Sequence, residues 1–174
     1  MSVGPRVVFL RFLSEESPKL KPWRAHYASV TGKTPETISR DGDGDRGGDR
    51  GGSSSESGVV TWHLVSANNR PLGRSGSSFL AFADAVDDAQ RAVAACHRLE
   101  VVLVAHAVSG RYGWFAIADG AVVITCARWY LTERDRRKSI ALATDSLAIA
   151  ALGAGARSIN PALMMSSVRE TTTL

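Results

Sequence analysis

The amino-acid sequence predicts an α+β fold: tandem, pseudo-twofold β-β-β-α(-β) repeats forming one antiparallel sheet with two helices packed on one face. Three observations predict it. A pattern opened by Trp62-His63-Leu64-Val65 continues through Asn68-Asn69, Phe79 and the run Asp84 to Val93, then recurs as Trp114-Phe115-Ala116-Ile117, Asp119-Gly120, Tyr130 and Asp135 to Thr144. The two tryptophans are 52 residues apart, whereas Phe79 and Tyr130, Asp84 and Asp135, and Ala89 and Ile140 are each 51 apart, which leaves a one-residue gap at the turn. Within each copy, alternating strand patterning gives way to the three-and-four spacing of an amphipathic helix.

At 174 residues, 44% of them hydrophobic, the chain supports one core or two small halves sharing one. Its net charge of +4 is unevenly placed. Residues 1–40 hold seven basic and three acidic groups, residues 41–58 two and five, and residues 59–174 twelve and nine. The basic excess thus belongs mostly to the N-terminal arm, and charge alone is a weak pointer to nucleic acid. Cys96 and Cys126 form no CxxC spacing and read as packing residues. No apolar run is long enough to span a membrane, and the start lacks a signal-peptide cleavage pattern, so a reduced, cytoplasmic setting without membrane contact is expected.

Residues 1–30 read as an arm with one or two strands joining the sheet: 6–13, rich in Val, Phe and Leu, and 23–30, where Trp23, Ala25 and Tyr27 share a face. Residues 31–57 read as a disordered Gly/Asp/Ser-rich linker or loop insertion with no apolar residue run to bury. Asp41, Asp43, Asp45 and Asp49 match positions of a calcium loop, but Arg46 stands where the bend needs Gly and Gly52 where the ion needs Glu. A solvated linker is the better reading, and no metal or cofactor is expected.

Residues 58–160 hold the repeats. Val59 to Ser66 is a strand with Val60, Trp62 and Leu64 on one face, followed by a turn at Asn68-Asn69. A short strand near Leu72 to Ser75 leads to a helix striped by Phe82, Ala85, Val86, Ala89, Ala92, Val93 and Cys96. Val101–Val108, Tyr112–Ala118 and Val122–Cys126 make a meander turned by Ser109-Gly110 and Asp119-Gly120. Thr132 with Asp135 caps a second helix whose stripe runs from Ile140 to Ala151 and which Gly153 and Gly155 stop. The tail, 161–174, has room for one edge strand. If each copy has three strands, the first copy lacks one before Gly58, and Trp23–Val30 is the candidate. The linker would then be a swollen hairpin loop, an insertion whose closure entropy grows only slowly with length.

These residues resemble the YegP-like family, small proteins of one or two repeats with no established biochemical function. The resemblance rests on Trp-x-Leu-x-x-Ala-Asn at 62–68, the polar turn, Phe79 or Tyr130 ahead of a helix, and the Ala-rich helix after it. It implies units of three strands, a helix and a strand that exchange their last strands within one sheet, with Val101–Val108 as the exchanged strand. Ala81 departs from the expected polar cap, the second copy lacks Ala-Asn before its turn, and residues 1–20 and 31–57 have no counterpart.

Chemistry is harder to find. His26, His63, His97 and His106 are scattered without metal spacing, and no nucleophile or phosphate-loop motif occurs. His63 reads as a surface or satisfied histidine. Ser75-Gly76-Ser77-Ser78 could offer amides to an anion, but reads more simply as a loop. The one functional cluster is Arg128, Arg134, Arg136, Arg137 and Lys138 with Trp129, diluted by Glu133 and Asp135. Cations near a helix N-terminus oppose its dipole, so stability alone does not place them there. Trp129 and Tyr130 beside them could stack on a base. The expected function is a non-enzymatic binding or interaction module of unknown partner; because one helix is acidic and the other basic, copies of the protein, or a protein partner, could pair through them. A basic nucleic-acid-binding module is the alternative.

Overall fold

The computed structural model describes residues 4–39 and 58–159. In chain order these form β1 (Arg6–Phe12), α1 (Lys21–Thr31), β2 (Thr37–Ile38), β3 (Val59–Val65), β4 (Pro71–Ser75), β5 (Ser78–Phe79) and α2 (Phe82–Ala95). A 3₁₀ turn at Cys96–Arg98 leads to β6 (Glu100–Ala105), β7 (Tyr112–Ala118), β8 (Ala121–Cys126), α3 (Glu133–Ala148) and β9 (Ala151–Ile159). The fold is α+β, with a curled mixed sheet and three helices.

The sheet runs β9, β1, β3, β4, β8, β7, β6, with β5 continuing past β4 beside β3 and β2 outside β5. Most pairs are antiparallel, but β1–β9 and β2–β5 are parallel. This corrects the expectation of an all-antiparallel sheet. Gly76 sits at the break between β4 and β5, where a Cβ would lie 1.9 Å from the carbonyl oxygen of Val122. Only glycine lets the chain approach β8 that closely. The hairpin turns follow the sequence signals: Asn69, Asp119 and Gly120 all take left-handed backbone angles, with φ of 60°, 51° and 78°.

Residues 23–30, expected as a strand, are helix. Pro22 lies in the first turn, where its missing N–H has no partner to lose, and Gly32 closes the last turn with φ 71°. Trp23, Tyr27 and Val30 are the buried positions. Their spacing of four and three is helical, although Trp23-Ala25-Tyr27 also alternates. The strand facing β3 is instead β1, paired from Arg6 with Val65 to Phe12 with Val59.

Three further expectations are corrected. Residues 31–39 are not linker throughout. Thr37–Ile38 pairs with Ser78–Phe79, and the Ser78 and Leu80 amides donate to the Glu36 and Ile38 carbonyls at 3.0 Å. The remaining residues, 40–57, including the aspartates of the calcium-loop comparison, lie outside the described residues. The second helix ends at Ala148 rather than at the glycines, and Ala151–Ile159 is a strand. Gly153 and Gly155 fall where β9 slips against β1, between the Val7–Leu152 and Phe9–Ala156 pairs, so they form an irregularity in a strand. The expected 101–108 strand ends at Ala105, where the His106 amide and the Arg111 carbonyl close a turn at 2.8 Å. The tail, 161–174, lies outside the described residues.

The main core lies between one sheet face and α2 and α3. Val7, Phe9, Trp62, Leu64, Trp114, Ala116 and Ile124 meet Ala85, Ala89 and Ala92 of α2 and Ala143 and Leu147 of α3. Small alanines let α2 sit close to the strand that carries Trp62. The indole N–H of Trp62 donates to Asp88 Oδ2 at 2.7 Å, and that of Trp114 to Ser139 Oγ at 3.0 Å. On the opposite face α1 caps a smaller cluster of Phe12, Leu20, Trp23 and Val59. The expectation of two helices on one face therefore omits a third helix on the other.

Candidate functional site

The predicted basic cluster separates once folded. Thr132 caps α3, its Oγ1 accepting from the Asp135 amide at 3.1 Å, with Glu133 and Asp135 in the first turn, where negative charge is favoured. Arg134, Arg137 and Lys138 project outward. Arg136 turns inward. It is 7% exposed, donates to the Val104 carbonyl at 3.2 Å, and lies 5.2 Å from the Tyr112 ring centroid. Its position so near the helix start has a structural cause, a tie between α3 and the β6–β7 hairpin, and needs no ligand.

The aromatic pair is also engaged. Trp129 packs on Gly113, where a Cβ would come within 2.7 Å of its ring, and meets His26 and His106 edge-on at 6.2 and 5.1 Å. Tyr130 is buried, accepts a hydrogen bond from Ser139 Oγ at 2.6 Å, and carries the Arg128 guanidinium 5.4 Å over its ring. Neither ring offers two free faces to a base. The serine loop is likewise committed: the Gly76 amide donates to the Val123 carbonyl, the Ser78 amide to that of Glu36, and Ser75 Oγ to that of Ser77. On the acidic helix, Asp88 is held by Trp62 and lies 4.0 Å from Arg91.

What the fold does assemble is a groove of roughly 650 Å³ where β4 begins, β8 ends and α3 starts. Arg70, Arg74, Arg128 and Lys138 line it, against a single carboxylate among the described residues, Asp135. Pro71, Leu72, Trp129, Leu131 and Leu142 supply apolar wall. Of the predicted residues, the groove gathers Arg128, Trp129 and Lys138 and leaves Arg134, Arg136 and Arg137 outside. It adds Arg70 and Arg74, which sequence reasoning missed. The β4–β8 pairing, Arg74 opposite Thr125, brings them to the 127–131 loop across more than fifty residues of chain. No local spacing signals such a meeting.

Two half-buried histidines were missed as well. His63 Nε2 is closed off from solvent with no hydrogen-bond partner among the described residues, and burial, aided by Arg74, pushes the ring down to about 4. His26 Nε2 lies 2.7 Å from the Cys126 carbonyl, and burial lowers its pKa too. Burial raises the Cys126 thiol to about 11, so it is a packing thiol rather than a nucleophile. Among the described residues, no group of three or more His, Cys, Asp or Glu could hold a metal ion, and no helix is long and apolar enough to cross a membrane.

Among solved structures, the chain is similar to the solution NMR structure of yegP from E. coli, a protein of unknown function. The two share 13% sequence identity with a TM-score of 0.44, over 62% of this chain and 89% of that one. No protein-family model and no curated protein matches the chain.

Proposed function

We propose that the chain is a binding module rather than a catalyst, and that its ligand is a phosphate-bearing strand held in the basic groove. The observation that carries this reading is the convergence of Arg70, Arg74, Arg128 and Lys138 on one concavity with a single opposing carboxylate among the described residues, Asp135. Four cations that gather from three separate segments neutralise phosphates and release counterions, which makes the affinity steeply salt-dependent. The ring of Trp129 forms part of the wall and gives one edge against which a base can rest.

With this goes a finer view of the scaffold: two copies of a β-β-β-α unit, of the YegP-like kind, joined along β4 and β8. Its support is a set of matched interactions. Trp62 and Trp114 each reach a helix side chain, and their amides donate to Ser75 Oγ at 3.3 Å and Cys126 Sγ at 3.4 Å. Ser75 and Cys126, like Asp88 and Ser139, stand 51 residues apart, the same offset that relates Phe79 to Tyr130.

Fluorescence anisotropy with labelled single-stranded oligonucleotides tests the ligand. Binding should weaken linearly in log salt, and the joint substitution of Arg70, Arg128 and Lys138 by alanine should reduce that slope by about two, since each phosphate neutralised on a single strand accounts for roughly 0.7. No binding at low salt removes the proposal.

A further inference from the structure

A second cavity, of roughly 240 Å³, lies on the other face of the sheet, beneath the start of α1. Its walls are Leu10 and Phe12 of β1, Pro22 and Trp23 of α1, His63 of β3, Arg74 of β4 and Ile159 at the end of β9, with Lys19 at its side. The apolar part is ordinary. The polar part is not: among the described residues, Trp23 Nε1, His63 Nε2 and Arg74 Nε are each buried without a hydrogen-bond partner, and all three residues line this one space. His63 and Arg74 face each other across the β3–β4 pair, so their side chains share this face of the sheet. Thr61, two residues before His63, and Thr125, opposite Arg74, lie on the same face, are fully buried, and have hydroxyls unpaired among the described residues. Buried polar groups in folded proteins are paired almost without exception, because each one left unmade carries the full desolvation penalty. Several gathered around one cavity mark a place that something else completes.

We infer that this cavity is a binding site for a small organic carboxylate with a compact apolar body, its anionic end on Arg74, Trp23 Nε1 and His63 and its body against Leu10, Phe12 and Ile159. The charge balance selects an anion. Arg74 stays protonated, no carboxylate among the described residues pairs with it, and Lys19 adds a second positive charge at the wall. Trp23 Nε1 can only donate. Burial lowers the His63 ring well below neutral pH, and in its Nε2–H tautomer the uncharged ring would add one N–H to the ligand without a second charge. The size selects a small molecule: at about 30 Å³ per water, the space equals some eight waters, enough for a single ring or branched chain bearing one carboxylate. Aliphatic walls disfavour an ion such as free phosphate, which would leave them wet. This site lies apart from the oligonucleotide groove and shares only Arg74 with it.

The test uses the full chain, with ¹⁵N-labelled side chains followed by NMR while benzoate, isobutyrate, benzamide and inorganic phosphate are added separately. The expected result is a saturable shift of the Trp23 indole and Arg74 Nε–H signals with benzoate or isobutyrate, at least about tenfold weaker for the uncharged benzamide, the reduction expected when a charged hydrogen-bond partner is removed. Trp23→Phe, which keeps the ring and removes the N–H, should weaken benzoate binding several-fold, and Arg74→Lys should weaken it further. Equal affinity for benzoate and benzamide, or shifts with phosphate alone, overturns the carboxylate assignment. If no carboxylate moves either signal at millimolar concentration, the cavity holds water and the inference falls; this readout on the unmodified protein does not depend on how well any variant folds.

Discussion

Trp62 and Trp114 occupy matched places. Both are fully buried, both amides donate to a side chain on the neighbouring strand, and both indoles donate to the helix that follows, to Asp88 at 2.7 Å and Ser139 at 3.0 Å. An indole N–H buried in the core has no water to fall back on, so each helix is tied to its strand at one defined point. Asp88→Leu should destabilise the protein by about 1–3 kcal/mol by orphaning the Trp62 donor, whereas Asp88→Asn, which keeps an acceptor, should cost less than half as much. Ser139→Ala should fall in the same range as Asp88→Leu, since it also strips the Tyr130 hydroxyl of its donor. Urea unfolding measures all three. A negligible effect at either position would break the matched-pair account.

Arg136 makes an opposite prediction from its neighbours on α3. Arg136→Ala removes the hydrogen bond to the Val104 carbonyl and the guanidinium over the Tyr112 ring, and should destabilise by about 2 kcal/mol or more. Arg134→Ala and Arg137→Ala, at exposed positions, should change stability by less than about 0.5 kcal/mol. Thermal unfolding of the three single variants separates one buried arginine from two surface ones.

Much of the scaffold was legible in the residues because it depends on local pattern. The alternation around Trp62 and Trp114, the left-handed turns at Asn69 and Asp119-Gly120 and the Ala-rich helix stripe each leave a periodic mark. Two errors came from segments whose pattern fits two periods or carries strong punctuation. Trp23–Tyr27–Val30 fits a helix as well as Trp23–Ala25–Tyr27 fits a strand, and Pro22 was the unused arbiter. Gly153 and Gly155 look like a helix stop, yet they serve the slip in β9. The groove was half visible. Arg128 and Lys138 sit near each other in sequence, but Arg70 and Arg74 reach them only through the β4–β8 register, which is tertiary information. The buried state of His63 was hidden for a related reason: its strand alternates toward a face that looks solvent-exposed until α1 is placed on it.

That burial makes stability depend on pH. His63 binds its proton near pH 6.5 when unfolded but only at about 4 when folded. Between these values the unfolded chain holds more protons, so stability rises with pH. The contribution is fully present above about pH 6.5 and is lost as pH falls through the folded value near 4, amounting to about 3 kcal/mol over the whole interval. His26, also lowered by burial, acts in the same direction. Carboxylates titrate near the lower end of this range, so the informative quantity is a difference. Urea unfolding of the protein and of His63→Asn at pH 7 and pH 4.5 should show a shallower pH dependence in the variant, and parallel profiles would mean that the ring titrates freely.

Cys126 gives the sharpest check on how strands and thiols are matched. Its Sγ accepts the Trp114 amide at 3.4 Å, as Ser75 Oγ accepts the Trp62 amide at 3.3 Å. The thiol is fully enclosed, and burial raises it to about 11, so almost none is thiolate near neutral pH. Cys96, only half-buried, is the more accessible of the pair. An excess of a thiol-specific reagent at pH 8 should therefore label one cysteine per folded chain and two after denaturation, with peptide mapping placing the native label on Cys96. Cys126→Ser keeps an acceptor for the amide in the arrangement Ser75 already uses, and should cost no more than about 1–2 kcal/mol for a smaller, more polar atom in a tight site. Cys126→Val fills the space but offers nothing to the Trp114 N–H, and should cost more. If valine is tolerated as well as serine, the amide has another partner and the parallel between the two strands carries no energetic weight.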